Sequence, residues 1–328
     1  MKANKIIAGA ALVGAIALTA TGCAGGGGAA AGGGGGGSGV ITVGFAQTGS
    51  ESGWRSANTE SMKEAFSEAN GFNLIFNAAD NKPEAQIAAV RSFINQGVDA
   101  IVLAPIVTDG WDDVLKEAKD ANIPVILEDR TVSASEDLYA SWVGLDFKKE
   151  GETAGKWVAD NFGSTPTNMV VLEGTTGSSA ATDRAEGFNS AISGTDIKVL
   201  DSQTGNFTRA EGKTVMEGFL QKYGSQINLL FAHNDDMGLG ALEAIKAAGL
   251  TPGTDIKIVT IDAVKDGMTA LSKGEFNYIV ECNPLLGEKA AEIVKKVVAG
   301  ESVDKSYIVE DQAFDQEQAA KVLDSRPY

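Results

Sequence analysis

An α/β fold of two doubly wound parallel-sheet lobes joined by a three-segment hinge is what the sequence predicts, on three observations. From Val40 onward, short apolar runs of strand character alternate with segments of helical period, the pattern of a parallel sheet flanked by helices. Residues 73–105 run strand, polar turn, helix, strand, and residues 197–235 repeat that order at similar lengths, as two copies of one unit would. Weaker strands without a continuous apolar centre, SWVGLD (141–146), NYIVECN (277–283) and the stretch from Glu301 to Val309, mark three passages between lobes.

The strong strands read in order as ITVGFAQ (41–47), NLIFNAA (73–79), DAIVLAP (99–105), PVILEDR (124–130), NMVVLEG (168–174), IKVLDSQ (197–203), NLLFAHND (228–235) and IKIVTID (256–262). Helices fill the gaps. Met62, Ala65, Phe66 and Ala69 fall at i, i+3, i+4 and i+7, and Trp111, Val114, Leu115 and Ala118 repeat that spacing, so each set marks one buried face. Trp111 is therefore read as packing, and so is Trp157 beside Ala154 and Val158. The first lobe is expected over 40–145 plus 280–303, and the second over 146–279 plus 304–328. A length of 289 residues, 40 to 328, is too great for one compact core of usual size and comfortable for two.

Ahead of the fold, Lys2 and Lys5 precede an apolar run from Ile6 to Ala20, the layout of an export signal over residues 1–22. Gly22 directly before Cys23 resembles a bacterial lipobox, although Ala20 stands where that pattern has a branched aliphatic residue. Cys23 is accordingly expected to carry lipid, which would hold the protein outside the cytoplasm on the bacterial cell membrane by that anchor alone. The alternatives are an ordinary cleaved signal or an uncleaved anchor, which would be short for a bilayer. From Gly25 to Gly39 the chain is almost wholly Gly, Ala and Ser, so residues 23–39 read as a lipidated cysteine and a flexible tether.

The formal charge is −17, and loss of Lys2 and Lys5 with the signal makes it −19. Such a surface repels phosphate backbones and anionic headgroups, which excludes nucleic acid and peripheral membrane binding. With 2 cysteines, one of them Cys23, Cys282 has no partner and there is no disulfide framework. The single histidine, His233, excludes a multi-His metal site, and no cofactor is expected.

In open parallel sheets ligands bind beyond the carboxyl ends of the strands. Those ends are rich in polar groups here. The first offers Glu51, Ser52, Trp54 and Arg55; the fourth Asp129 and Arg130; the strand ending near Gly174 leads to Asp183 and Arg184; the seventh gives Asn234 and Asp235; the eighth gives Asp262. Carboxylates accept, guanidiniums donate in a planar fork and an Asn does both, matching a polyhydroxylated ligand. Trp54 adds a flat apolar face for the C–H side of a ring. Any one Asp or Asn could simply cap a helix, and Asp235 is read that way. Arg184 is expected as an exposed cleft side chain with little part in the core.

These residues carry a resemblance. VGFAQTGSESGWR, VILEDR, TGSSAATDRAEGF, FAHNDD, VTIDAV and VECNPLLG are similar to the sugar-binding periplasmic proteins of the ribose and galactose type, most closely their galactofuranose-binding members. The resemblance runs from Val40 to about Ser325. It implies a type I periplasmic binding fold that closes on a monosaccharide and delivers it, as a monomer, to an ABC permease. Carried over, the stretch Glu51, Ser52, Gly53, Trp54 and Arg55, with Asp129 and Arg130, contacts sugar from the first lobe, and Arg184, Asn234 and Asp262 from the second. Ribose-type relatives have a pair of Phe in the first loop and a hinge Gln where this chain has Trp54 and Cys282, which argues against ribose.

Other readings fail on spacing or context. GNFTRAEGKT (205–214) ends like a phosphate loop, but six residues separate its glycines where four are needed, and Val215, Met216, Phe219 and Leu220 make it helical after Arg209. His233 lacks a nucleophile elbow. Asp129 and Asp262 could form a glycosidase pair, yet neighbouring Arg130 would hold Asp129 ionised, which suits an acceptor better than a general acid. A sugar-responsive repressor would need a basic helix-turn-helix where this chain has a signal and a tether. A sugar sensor presenting its closed form to a membrane receptor remains as the alternative, and a carbohydrate-processing enzyme as the weaker one.

Overall fold

The computed structural model describes residues 39–328; the signal, Cys23 and the tether before Gly39 lie outside the described residues. The first half runs β1 (Ile41–Gln47), α1 (Gly53–Ala65), β2 (Phe72–Ala78), α2 (Pro83–Gln96), β3 (Ala100–Leu103), α3 (Asp112–Asp120), β4 (Val125–Asp129) and β5 (Ser141–Gly144). The second runs α4 (Phe147–Phe162), β6 (Thr167–Glu173), α5 (Ser179–Ala191), β7 (Ile197–Thr204), α6 (Arg209–Tyr223), β8 (Leu229–Ala232), α7 (Asp235–Ala247), β9 (Lys257–Asp262), α8 (Lys265–Ser272) and β10 (Tyr278–Glu281). The chain closes with α9 (Gly287–Val298), β11 (Ser306–Ile308), β12 (Ala313–Phe314) and α10 (Gln316–Val322).

Two six-stranded sheets result, ordered β11-β5-β4-β3-β1-β2 and β12-β10-β9-β8-β6-β7. The core five strands of each sheet follow one plan, so the expected repeat of β2-α2-β3 by β7-α6-β8 is a repeat of whole lobes. All pairings are parallel except β10 with β12. Parallel strands need crossover helices on both faces, and the strand residues show it: Val43 and Phe45 join one apolar cluster of the first lobe, Ile101 and Leu103 the other. In both lobes the order reverses between neighbouring strands, β1 and β3 in one, β6 and β8 in the other, opening a crevice at the carboxyl ends.

Trp111 is fully buried, its indole N–H donating to the Val107 carbonyl at 2.8 Å, and Val114, Leu115 and Ala118 are buried beside it. Trp157 stacks on Tyr278 with ring centroids 4.9 Å apart. Ala69 departs from its expected face. The helix ends at Ala65, and Ala69 lies exposed in the short turn that follows.

Sheet membership places the three passages after β5, after β10 and between β11 and β12. The last differs from the expected division at 303/304, because β11 pairs with β5 in the first sheet before the chain crosses. The second also shifts: β10 stays paired with β9 through Glu281, so the first lobe resumes after residue 281 rather than at 280.

Close helix crossings bring the strand ends into their working positions. A methyl on Gly151 of α4 would lie 2.2 Å from the Arg184 carbonyl oxygen of α5, and one on Gly187 would lie 2.1 Å from the Lys148 carbonyl oxygen. Only glycine permits that approach, and it puts Glu150 within reach of Arg184. Gly151→Ala is expected to cost about 1–3 kcal/mol by overpacking. Gly218→Ala, in α6 with open space around it, should instead gain up to about 1 kcal/mol of helix propensity. Urea unfolding of both variants tests this, and a stabilised Gly151→Ala would refute the tight crossing.

Candidate functional site

An indole and a guanidinium sit side by side at the N-terminus of α1. Ser52 caps the helix, its hydroxyl accepting from the Arg55 amide at 3.1 Å, and the turn throws Trp54 and Arg55 inward on adjacent bearings. The Arg55 guanidinium donates to Asp129 Oδ2 at 2.6 Å and Glu51 Oε1 at 3.2 Å, and its carbon lies 4.6 Å from the centre of the Trp54 ring. Trp54 donates from Nε1 to the Cys282 carbonyl in the hinge at 2.6 Å and packs with the apolar cluster of the second lobe.

Asp129 and Asp262 end β4 and β9, which hold equivalent places in the two sheets. Both have positive φ, 60° and 128°, a conformation that costs a residue with a side chain on the order of 1–3 kcal/mol and persists only where surroundings enforce it. The bend turns each carboxylate into the crevice. Beside Asp129, Arg130 donates to the Ile106 carbonyl at 3.2 Å, while its nearest carboxylate oxygens lie 3.7 and 3.8 Å away. From α5, Arg184 pairs with Glu150 at 2.7 Å, donates to the His233 carbonyl at 2.7 Å and comes within 3.7 Å of Asp262.

Together these groups enclose a small cavity between the lobes. Glu51, Ser52, Trp54, Arg55, Asp129 and Arg130 line it from the first lobe, and Arg184, Asn234 and Asp262 from the second. Gly53 does not line it. Its amide points the other way and donates to Asp236 Oδ2 across the cleft at 2.8 Å. Further cross-cleft bonds run from the Thr108 amide to the Gly177 carbonyl (2.9 Å) and from the Thr131 amide to Ser179 Oγ (3.1 Å), so the lobes are closed over the site.

Three lining residues were invisible to the strand-end reading: Phe147, Ala180 and Phe207. Cys282, noticed only as a hinge departure, also lines the cavity. Phe207 follows β7, an edge strand of the second sheet. Its φ of 62° turns the ring inward against Gly174, with the Arg130 guanidinium 5.1 Å away on one side and that of Arg184 6.0 Å away. Its position just past a strand end was the available signal.

Two readings of individual residues are corrected. Arg184 is 3% exposed rather than open in the cleft, so its loss would leave Glu150 buried without a counter-charge, a cost of about 3–5 kcal/mol. Asn234, not Asp235, caps α7: its Oδ1 accepts from the Met237 amide at 3.0 Å and its Nδ2 donates to the Phe207 carbonyl at 3.1 Å. Asp235 instead bonds Thr260 Oγ1 and the Val264 amide behind the site.

The lining carries three guanidiniums and three carboxylates, a balance suited to an uncharged guest. Burial would raise Glu51, but Arg55 and Arg130 outweigh it and hold the carboxyl below its usual range. Burial, with Arg55 alongside, lowers Arg130 to about 10. Burial raises Asp262 well above an ordinary Asp despite Arg184. Arg130 Nε and Asp262 Oδ2 are buried without hydrogen-bond partners, one donor and one acceptor on opposite lobes. Burial and Arg184 push His233 down to about 3, so it is a neutral packing residue and no general base at neutral pH. No cluster of metal-ligating side chains occurs among the described residues.

Behind the lining, burial and the adjacent Asp129 push Glu128 up to about 8, and Asn58 Nδ2 donates to it at 2.5 Å. A carboxyl raised on folding contributes stability that is whole below its unfolded value, about 4.3, and lost as pH rises through the folded one. Wild type should therefore lose about 1 kcal/mol more per pH unit than Glu128→Gln between about pH 5 and 8. Urea unfolding across that range decides it; parallel curves would mean an ionised Glu128.

Residues 43–302 match the periplasmic binding protein domain. The galactofuranose-binding protein YtfQ of Escherichia coli (strain K12) is 47% identical over 260 residues, 78% of this chain and 81% of that protein. A solved structure from Mycobacterium smegmatis in complex with β-D-fucofuranose has a TM-score of 0.85 at 56% identity, covering 88% of this chain and 95% of that one. The binding protein component of the arabinose ABC transporter from Shewanella sp. ANA-3, bound to α- and β-L-arabinofuranose, has a TM-score of 0.84 at 44% identity, over 88% and 96%. With its two parallel-sheet lobes closed on a polar cavity, the chain belongs to the periplasmic binding protein family, as a type I sugar-binding protein of ABC-transporter type and not an enzyme.

Proposed function

We propose that the cavity takes one monosaccharide in its furanose form, of the galactofuranose class, and that the protein delivers it as a monomer to an ABC permease from a lipid anchor at Cys23. The observation that carries this is the charge-balanced lining, in which Arg130 and Asp262 each keep a buried polar atom, Nε and Oδ2, without a hydrogen-bond partner. A sugar hydroxyl both donates and accepts, so one small polyol can satisfy both groups. The space left between these side chains is small, which favours a single ring over an oligosaccharide. The furanoses named for two of the relatives share a five-membered ring with different substituents, which supports ring size as the common requirement.

The mechanism follows from the division of the lining between lobes. Sugar contacts both halves only when they are closed, so binding shifts an open–closed equilibrium toward the closed form, which a permease can recognise. Hinge motion is accommodated at the three passages. Glu51, Ser52, Arg55, Asp129 and Arg130 hold hydroxyls from the first lobe, Arg184, Asn234 and Asp262 from the second, and Trp54 and Phe207 offer apolar faces. Gly53 acts through its amide on Asp236, as part of the closing contact.

Calorimetry with galactose, fucose, arabinose and ribose, each at its solution equilibrium of ring forms, should give heats for the first three and a loss of tenfold or more where a matched hydroxyl is missing. X-ray scattering should show compaction at saturation. Equal heats for all four, or none for any, would overturn the reading.

Trp54→Ala should abolish most affinity together with any sugar-dependent indole fluorescence. Trp111→Ala should leave affinity intact and lower stability by about 3–5 kcal/mol, as loss of a buried Trp does. Exchange of those two outcomes would assign the aromatics the wrong way round.

A further inference from the structure

The turn that carries Asp262 is held by an element far from it in sequence. Asp262 and Ala263 have consecutive positive φ values, 128° and 62°, which the chain does not keep unaided. Three bonds lock this turn: the Cys282 amide donates to the Asp262 carbonyl (3.2 Å), Arg326 Nη2 to the Ala263 carbonyl (2.9 Å), and the Val264 amide to Asp235 Oδ2 (2.9 Å). Two of these come from charged side chains, Asp235 of α7 and Arg326, and of the two it is Arg326 that also bonds the hinge.

The clamp there uses both terminal nitrogens of Arg326, while its Nε is buried without a partner. Arg326 Nη1 donates to Glu281 Oε1 at 2.7 Å, and Tyr328 donates its hydroxyl to the same oxygen at 2.7 Å while accepting from Arg326 Nη2 at 2.6 Å. The guanidinium lies between the rings of Phe314 and Tyr328, 5.3 and 4.4 Å from their centres. Its side chain is 8% exposed, that of Glu281 5%. Glu281 is the last residue of β10, where the chain passes to the first lobe, and its Oε2 accepts from the amide of Gln312 at 3.1 Å, in the third passage. Two hinge strands and the site turn thus meet on one ion pair.

We propose that Arg326, clamped by Glu281 and Tyr328, is a positioning residue for the sugar site: it holds the Ala263 carbonyl, keeps the Asp262 carboxylate aimed into the cavity, and ties that aim to two of the three hinge passages. This rests on the sugar-binding reading above. Arg326 itself does not line the cavity, so its effect on affinity must pass through Asp262.

A double-mutant cycle tests it, with galactose at its solution equilibrium of ring forms as the probe and calorimetry as the readout. Arg326→Ala should weaken binding about tenfold, and the same change in an Asp262→Asn background should weaken it by about threefold or less, the non-additivity of residues acting as one unit. Arg326→Lys, which keeps one bond to Glu281, should recover part of the loss. Tyr328→Phe removes only a hydroxyl and should show a smaller loss with the same non-additivity, so it decides the matter if Arg326→Ala does not fold. Affinity within twofold of wild type, or equal factors in both backgrounds, would reduce Arg326 to a structural residue and overturn the proposal while wild-type binding still upholds the site. Wild type that binds none of the sugars would bring down the site reading, and this inference with it.

Discussion

Burial of three guanidinium groups in one cavity is the constraint on which the rest of the structure turns. A buried charge without a partner is costly, and a pair is tolerable only with good geometry and its remaining donors satisfied. Arg55 and Arg184 meet that demand within their own lobes, through Asp129 and Glu51 in one and Glu150 with the His233 carbonyl in the other. Arg130 does not, since its nearest carboxylates are beyond hydrogen-bond distance. Under the proposed function the unevenness has a use: side chains that are rigidly paired lose little freedom when a ligand arrives, and the one with spare donor capacity has bonds left to give.

The two aspartates extend the same logic to the backbone. Asp129 and Asp262 end equivalent strands of two sheets with one strand order, and each is held in a region of φ that favours glycine. Strain of that kind needs a rigid surround. In the first lobe the Trp142 indole donates to the Asp129 carbonyl at 3.1 Å; in the second the hinge amide of Cys282 and the Arg326 clamp hold the turn. The lobes share a plan but anchor it differently, with the second tied more directly to the hinge.

Closure depends on a few specific bonds laid over apolar contact. Trp54 leaves its own lobe to pack in the cluster of the other and hydrogen-bonds the hinge, so one side chain links helix α1, the second lobe and the passage between them. The amide of Gly53 adds a bond to Asp236, itself held by Arg209 at 3.2 Å. Few contacts of this type are needed, because a closed form stable without ligand would hold no free energy in reserve for ligand to shift.

The strands, their order of appearance and the two-lobe plan were legible in the amino-acid sequence because each sheet is buried on both faces, so its strands read as short unbroken apolar runs with polar residues just past their ends. Nine of the ten expected sugar contacts line the cavity for that reason, since ligand groups at a switch point come from those ends. Gly53 does not line the cavity, because its amide is engaged by Asp236, which no side-chain pattern reports. Phe207 was hidden because its direction depends on a positive φ and on the space left by Gly174, and Glu150 because it meets Arg184 only where Gly151 lets two helices touch. By itself, then, the sequence determined the class of fold and the chemical character of the crevice, which follow from local period and composition. Only the tertiary structure decided which guanidinium meets which carboxylate, which residue caps a helix and which faces the cavity, because those choices join positions as far apart as Trp54 and Cys282 through helix crossings and closure that no local window contains.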